Sequence, residues 1–455
     1  SDLLTQVWQE SKTRVINFFL SALLIAFTLH FLGLASTTES YPIVGVGFNL
    51  YIITSLIPTS ILTAGMRCIV SENVSKGRKD QSLYFYACFI GLLIYHLILY
   101  AGFWFSSSIF IMMGFEKGIA IKIESFLTAT PLLLFSTICL ELLKEYYYAL
   151  NFKSVSVFTN SCVLVMYWVL GNYFLNQNQI EETEGIIKAL SASHALALLL
   201  LLTFTRMKKP LDISYWLIPS GDELKTNLVE LVHKMKKSSP NNSLQRVWIR
   251  IVLLVLAFST HQDFFAGFIL QNISDIFSIL PVVVFPSFRS FISRTIRLTE
   301  LGKAQSFLKV LIILCFLWLF GALILYYQAK EYLFKFYTHN SSTYELLEKL
   351  SPVWVFCLVG ENIQLSLINI AQSIGAEELI SKSLKFLYYA ISLPSCLLVV
   401  LLGKGAFEVW ICLVITTYSH SFWLIKSFKK LNWEDQVNLI QNRPSNSSEV
   451  PLLQV

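Results

Sequence analysis

The sequence predicts an all-helical, polytopic membrane protein. Its composition, the length of its apolar segments and the placement of its basic residues all support this class. Of its 455 residues, 55% are hydrophobic and only 14% are charged, whereas about a quarter of the residues in soluble domains are charged. About twelve apolar segments each approach the ~20 residues that a helix needs to cross a bilayer. Helices are expected because they satisfy their own backbone hydrogen bonds in lipid.

The apolar segments follow one another along the chain and are separated by short polar or basic turns. We place them roughly at 13–35, 43–70, 83–113, 121–148, 154–175, 185–205, 238–260, 263–288, 304–328, 345–374, 380–402 and 405–427. We expect no cleavable signal peptide, because the first segment is too long for a signal core. The eight cysteines fall within these segments and form no CxxC pair, which favours small core residues over disulfides or metal sites.

The basic residues predict the orientation of the chain. If the chain starts in the cytoplasm and crosses the membrane at every segment, most of its 35 lysines and arginines fall on the cytoplasmic side, as the positive-inside rule requires. Both termini are therefore expected in the cytoplasm. The basic residues do not distinguish between the plasma membrane and an organelle membrane. The net charge of +6 is interpreted as a topology signal, and no nucleic-acid partner is expected.

An internal repeat, whose matched residues share one offset in residue number apart from a two-residue insertion, divides the chain in two. The stretch GMRCIVSENVSKGRKDQSL at 65–83 aligns with SFRSFISRTIRLTELGKAQSFL at 287–308, which matches Arg67 with Arg289. An even number of helices per repeat gives both halves one orientation, as in the parallel repeats of secondary transporters. The predicted domains are an amino-terminal six-helix bundle at 1–210, a cytoplasmic linker with the start of helix 7 at 211–243, a carboxy-terminal bundle at 244–430 and a cytoplasmic tail at 431–455.

One apolar segment contains many polar residues, in the stretch GENIQLSLINIAQSIG at 360–375. At helical spacing one stripe of polar side chains forms; its members are Asn362, Ser366, Asn369 and Ser373. Such a face is expected to line protein or a water-filled cavity, because lipid would leave its groups without hydrogen bonds. Glu361, on the flank of the stripe, is the first candidate for a carboxylate that binds a proton or a cationic substrate. A buried charge pair that only packs helices is the alternative.

Several motifs, in their order along the chain, resemble the multidrug and toxic compound extrusion (MATE) family of cation-coupled exporters. They are SENVSKGRKDQS at 71–82, Asn172-Tyr173, EGIIKALSAS at 184–193, YYAISLP at 388–394 and NWEDQVNLIQNR at 432–443. Glu361 and Gln364 resemble the acidic residue and the glutamine of the family's tenth helix. The resemblance covers nearly the whole chain and implies two six-helix bundles that work by alternating access.

Two departures from the family pattern bear on ion coupling. The first helix lacks the aspartate that many bacterial relatives use, and the seventh carries Arg246 and Arg250 where relatives often have a glutamate. Counted along their helices from the inner surface, Arg250 and Glu361 lie at similar depths in the membrane. We therefore hypothesise an Arg250–Glu361 ion pair, with Arg246 as the alternate partner of Glu361. A cavity whose glutamate is paired with an arginine would attract organic cations less and could accept an organic anion instead.

Two further arginines and a group of charged residues are expected near the inner surface. Arg67 and Arg289 fall at equivalent inner ends of the second and eighth helices, as snorkelling anchors or as ion pairs of an inner gate. Glu141, Lys144 and Glu145 are expected at the membrane interface. Because the sequence contains no phosphate-binding loop, zinc motif or hydrolase motif, we expect no enzyme activity, metal or cofactor beyond a coupling ion.

The leading hypothesis is a secondary active exporter of organic compounds, cations in the first instance, in exchange for H⁺ or Na⁺. Its partners would be the substrate and the bilayer, and it would be a monomer or a subunit of a larger membrane complex. The basic seventh helix leaves an organic-anion exporter open. The missing first-helix acid leaves open a transport-inactive subunit that stabilises a larger complex. A lipid-precursor flippase of the same superfamily is a further alternative.

Overall fold

The computed structural model describes residues 2–34, 39–75, 81–176, 181–208, 220–238, 240–297 and 301–430. Throughout these ranges the chain forms helices and contains no β-strand, which confirms the predicted class. Two compact units are present, one from the described residues of Leu23–Pro240 and the other from those of Ser1–Ala22 and Asn241–Gln454. The predicted tail at 431–455 lies outside the described residues, as do residues 211–219 and 239 of the predicted linker at 211–243; the rest of that linker is described.

The amino-terminal unit contains helices α2 to α10 and the second part of α1. Their bounds are α1 Asp2–Gly33, α2 Ser40–Tyr51, α3 Ile57–Ser75, α4 Gln81–Phe103, α5 Ser106–Met112, α6 Lys117–Thr128, α7 Pro131–Ala149, α8 Ser154–Leu175, α9 Glu182–Lys208 and α10 Gly221–Ser238. A π-helical segment, Ile52–Leu56, joins α2 to α3 within one span. Helices α6 and α7 meet at a bend of 46°, where Pro131 supplies the first residue of α7, a position that needs no backbone N–H.

The carboxy-terminal unit contains helices α11 to α18. Their bounds are α11 Pro240–Leu256, α12 His261–Phe277, α13 Phe285–Arg297, α14 Leu301–Tyr337, α15 Ser341–Ser373, α16 Glu377–Leu384, α17 Leu393–Leu401 and α18 Ala406–Phe428. Two more π-helical segments interrupt the spans of this unit, Leu280–Val284 before α13 and Lys385–Ser392 before α17. Such segments are rare and occur frequently at functional sites.

The helices are long and apolar enough for a membrane. Nine helical spans in the described ranges pass this test, and the two bent pairs bring the number to eleven. Helix α11, with 17 residues, occupies the place of the predicted seventh span. Large apolar side chains such as Leu97, Ile98, Phe316 and Leu317 are more than half exposed, as expected for surfaces that contact lipid. The chain is an integral, multi-pass membrane protein.

The two arginines matched by the repeat make corresponding contacts within their own units. Arg67 in α3 forms an ion pair with Glu145 in α7 at 2.7 Å. Arg289 in α13 donates a hydrogen bond to Oε1 of Gln372 in α15 at 2.6 Å. Each arginine therefore ties the second span of its half to the fourth. Whether either takes part in a gate remains a prediction.

The π-helical segments provide a second match between the halves. His96 in α4 contacts the hydroxyl of Ser55, inside the first π-helical segment, at 2.9 Å. The offset that matches Arg67 with Arg289 also matches His96 with Trp318 and Ser55 with Phe277. Trp318 in α14 donates to the carbonyl of Phe277 at 2.8 Å. In both halves, a side chain of the third span therefore contacts the second span in or near a π-helical segment.

Helix α10 packs on other helices of the amino-terminal unit. Its Leu231 is fully buried, and Tyr84 of α4 donates a hydrogen bond to its Glu230 at 2.8 Å. The helix begins with a capping box, in which the Ser220 N–H donates to the Glu223 carboxylate at 2.9 Å and the Glu223 N–H donates to the Ser220 hydroxyl at 3.4 Å. The hydrogen bonds from the Ser220 N–H and hydroxyl hold the pKa of the exposed Glu223 carboxyl below its usual value.

The substitution Gly360→Ala should lower the melting temperature of the detergent-solubilised protein. A Cβ atom at Gly360 would lie 2.7 Å from Oγ1 of Thr417 and 2.9 Å from the Tyr418 ring, and overpacking typically costs about 1–3 kcal/mol. The control is Gly321→Ala in α14, where an added Cβ meets nothing within 4 Å. The control should leave the melting temperature unchanged or raise it. A Gly360→Ala protein as stable as the wild type would contradict the close packing of α15 on α18.

Candidate functional site

A partly buried ion pair joins α11 to α12 in the carboxy-terminal unit. Nη2 of Arg250 lies 3.1 Å from Oδ2 of Asp275. Gln271, one turn earlier on α12, donates to the other carboxylate oxygen of Asp275 at 3.1 Å. The guanidinium carbon also lies 5.5 Å from the centroid of the Phe268 ring, within the range of a cation–π interaction. Both oxygens of the carboxylate therefore have a partner, as an ionised group in apolar surroundings requires.

The hypothesised Arg250–Glu361 ion pair is wrong, because Arg250 pairs with Asp275. Among the described residues, Glu361 forms no ion pair with a basic side chain. Equal depth was the basis of the hypothesis, but depth alone cannot distinguish between helices around one bundle. Asp275 was missed from the sequence, although an acidic residue inside an apolar segment is itself a signal of function or of a buried partner.

Glu361 lies on α15 and is only 8% exposed. The thiol of Cys357, one turn earlier, is 4.0 Å from its Oε1. Asp275 is close enough to act on the Glu361 carboxylate electrostatically. Two carboxylates are thus neighbours and one arginine is committed to Asp275, which leaves Glu361 as a group that can bind a proton or a cation.

Arg246 lies one turn before Arg250 on α11 and is partly buried. Both arginines act electrostatically on Asp275, but in the described part of the chain only Arg250 forms an ion pair with it. With Glu361, these groups comprise two positive and two negative charges. The cluster is neutral when all four are ionised, and one added proton or monovalent cation makes it positive.

Gln364 is fully buried one turn after Glu361. Neither its Oε1 nor its Nε2 has a hydrogen-bond partner of good geometry among the described residues. Tyr388 lies beside it, in the third π-helical segment, with its ring edge-on to Trp248 and the centroids 4.3 Å apart. Tyr388 opens the YYAISLP motif that contributed to the family resemblance, but no binding role was predicted for it, and Trp248 was missed because aromatic residues are common in apolar spans.

The predicted polar stripe of α15 is buried and makes hydrogen bonds inside the unit. Ser366 contacts the Cys315 thiol of α14 at 3.0 Å. Asn369 donates to the carbonyl of Pro281, in the second π-helical segment, at 3.0 Å. Asn362 donates to a carbonyl of its own helix at 2.8 Å. The stripe therefore ties α15 to its neighbours at Ser366 and Asn369, and the groups best placed for binding are those on its flank.

Solved transporter structures match the chain over nearly its whole length. The inward-facing conformation of a multidrug resistance MATE family transporter of the MOP superfamily matches with a TM-score of 0.75 at 14% identity, over 94% of this chain and 96% of that one. The eukaryotic MATE transporter AtDTX14 matches with 0.72 at 11% identity, over 97% and 98%. The chain has the MATE fold.

A third structure with this fold is a MOP superfamily transporter from Pyrococcus furiosus, with a TM-score of 0.65 at 13% identity over 96% of both chains. The sequence matches no protein-family model and no curated protein. The MATE fold confirms the resemblance inferred from the motifs. At identities this low, a similar arrangement of helices persists while most side chains have changed, so the residues of the site must be judged by their own contacts.

A double-mutant cycle should identify Asp275 as the partner of Arg250. Arg250→Leu should destabilise the protein by up to about 3 kcal/mol, the low end for a broken buried pair, because 31% of the Asp275 side chain is exposed. Adding Asp275→Asn should recover most of that loss, whereas adding Glu361→Gln should not. Thermal unfolding in detergent measures each variant.

The control for this cycle is the exposed pair of Lys382 and Glu378 on α16, whose side chains are 74% and 82% exposed. Breaking it should cost less than about 1 kcal/mol. If Glu361→Gln rescued the stability of Arg250→Leu and Asp275→Asn did not, the result would support the Arg250–Glu361 pair hypothesised from the sequence.

Proposed function

We propose that this protein is a secondary active transporter with the MATE fold that exports an organic compound in exchange for H⁺ or Na⁺. The observation that carries the proposal is Glu361, a buried carboxylate on a membrane-spanning helix that has no basic partner among the described residues. Ionisable groups at such positions are costly and typically mark ion or substrate pathways. The MATE fold supports a transporter, since all three structures compared above are transporters.

The Arg250–Asp275 pair assigns different tasks to the two carboxylates. Asp275 is neutralised by Arg250 and held by Gln271, so its charge is fixed within the unit. Glu361 is the carboxylate left to respond to an entering ion. A proton or Na⁺ at Glu361 would replace a cationic cargo, and its departure would reset the carrier for the next cycle. The membrane potential contributes about 2.3 kcal/mol per charge per 100 mV to such an exchange.

An organic-anion exporter is the second candidate, and Arg246 favours it. This arginine is partly buried, and in the described ranges it has no ion pair of its own. The Pyrococcus furiosus transporter is described as having a binding pocket of reverse polarity, which suggests a different function for that protein. In this chain, Arg246 would attract an anionic cargo in the same way that Glu361 would attract a cation.

Glu361→Gln should abolish ion-driven exchange, because the amide cannot exchange a proton or neutralise a cation. Proteoliposomes with an imposed pH or Na⁺ gradient, loaded with a fluorescent organic cation, measure the rate. We expect a loss of at least about tenfold, which corresponds to about 1.4 kcal/mol. The control is Glu378→Gln, an exposed glutamate on α16, which should transport like the wild type.

Two outcomes of this experiment would reject the proposed role. Gradient-driven exchange at the wild-type rate in a folded Glu361→Gln protein would remove Glu361 from ion coupling. A wild-type protein that moves neither organic cations nor organic anions under any gradient, and that copurifies with partner proteins in fixed ratio, would favour the transport-inactive subunit.

Arg246→Gln should shift the charge preference of the cargo. Removing a positive charge near the site changes its interaction with a charged ligand by about 1–4 kcal/mol, so transport of an organic anion should fall at least about fivefold. Competition between a labelled organic anion and a labelled organic cation measures the ratio. An unchanged ratio would exclude Arg246 from substrate selection.

A further inference from the structure

The linker predicted in the cytoplasm contains α10, and this helix packs on the inner part of the amino-terminal unit. Leu231 has no exposed surface and belongs to a hydrophobic core cluster with residues of α3, α4 and α7, and Leu224 packs against the same cluster. Cδ1 of Leu228 lies 2.8 Å from the place that a Cβ atom on Gly91 of α4 would take. The glycine therefore leaves the room that the Leu228 side chain occupies.

Leu228 contacts α4 well inside the membrane-spanning part of that helix. Gly91 lies about 15 Å along α4 from its inner end at Gln81. Tyr84, which donates to Glu230 at 2.8 Å, lies only about 5 Å from that end. The step from Leu228 to Glu230 therefore leads towards the inner surface, and the first turn of α10 lies deepest in the membrane.

The opposite face of α10 is polar and exposed. Its exposed side chains include Asp222, Glu223, Lys225 and Thr226, which all precede Leu228. Charged groups at this depth are costly in contact with lipid and typically face a water-filled cavity. An amphipathic helix on the membrane surface buries its apolar face in lipid, whereas α10 buries that face in protein. The polar face of α10 therefore lines a water-filled space on the inner side of the unit.

The contacts of α10 favour docking that can be reversed. Apolar side chains provide its packing, and Tyr84 adds the hydrogen bond to Glu230. Nδ2 of Asn227 is buried and has no hydrogen-bond partner among the described residues, and a buried donor without a partner disfavours the packed state. The capping box of Ser220 and Glu223 is internal to this segment, so the helix keeps its cap when it leaves α3 and α4.

We propose that α10 is an autoinhibitory plug of the amino-terminal unit. In the docked state, α10 covers the inner surfaces of α3 and α4 and occupies part of the water-filled space beside them. When α10 undocks, these surfaces become accessible from the inner side of the membrane. The proposal rests on the proposed function, in which this space is the inner part of the cargo route, and a docked α10 then keeps the transporter inactive.

Cysteine labelling tests whether water reaches the polar face of α10. The full-length protein without its eight native cysteines receives Val229→Cys, at a residue of α10 that is 63% exposed. A membrane-impermeant thiol reagent on the inner side should label this cysteine. Ile98→Cys, at a residue 69% exposed on the apolar surface of α4, should remain unlabelled because lipid covers it. An unlabelled Val229→Cys in a folded protein would place this face against lipid and overturn the proposal.

Leu228→Asp should undock α10, because a carboxylate cannot be buried beside Gly91 without a partner. The reporter is Leu62→Cys on α3, whose Cδ2 in the native side chain lies 3.9 Å from the same Cβ position of Gly91. Because labelling and transport both require the undocked fraction, we expect labelling to rise at least about tenfold and transport at least about threefold. Val229→Asp, the matched control, adds the same charge to the neighbouring exposed residue and should change neither rate.

Gly91→Leu fills the place of the Leu228 side chain from the α4 side and decides the outcome should Leu228→Asp fail to fold. A reporter cysteine labelled equally fast in the undocking variant and in Val229→Asp would overturn the proposal. So would a folded variant that is labelled faster but transports no faster, where the parent protein is active, because α10 would then be a structural helix. If the parent and every variant fail to transport, the proposed function fails, while faster labelling of Leu62→Cys still shows that α10 closes the space.

Discussion

The ion pair between Arg250 and Asp275 governs the chemistry of the carboxy-terminal unit. A charge inside a membrane-spanning bundle is tolerated only when it is paired or hydrated, and Arg250 finds its counter-ion on the neighbouring helix α12. That pairing leaves Glu361 on α15 as the carboxylate without a basic partner in the described ranges. In the proposed function, the pair thereby separates a structural acid, Asp275, from the acid that responds to the ion, Glu361, although Asp275 lies within electrostatic range of Glu361.

The symmetry of the scaffold does not extend to its charges. The repeat matches Arg250 with Thr28 and Glu361 with Cys139, and it matches Lys144 with Ser366. Each unit thus carries a buried charged cluster where the other has an uncharged residue. The repeated backbone supplies corresponding helix contacts, such as those of His96 in one half and of its counterpart in the other, while the ionisable groups are specific to each unit.

The sequence predicted the helical class, the order of the spans and the offset of the repeat, because hydropathy and spacing are local properties of the chain. It could not choose the partner of Arg250, since that choice depends on how α11 and α12 are rotated around the bundle. The same limit applies to Lys144, whose contact with Asn160 depends on how α7 and α8 are packed. The YYAISLP motif at 388–394 marked this region, but the sequence did not predict that Lys385–Ser392 would form a π-helical segment.

The central claim is that water and cargo reach Glu361 in the course of a transport cycle. The most direct measurement replaces Glu361 by cysteine in a protein stripped of its eight native cysteines and follows labelling by a membrane-impermeant thiol reagent. Phe356→Cys, at a residue 63% exposed on the apolar surface of the same helix, is the unreactive reference. We expect labelling at position 361 from one side of the membrane, at a rate that changes when the ion gradient is reversed. No labelling from either side, in a folded protein, would contradict the claim.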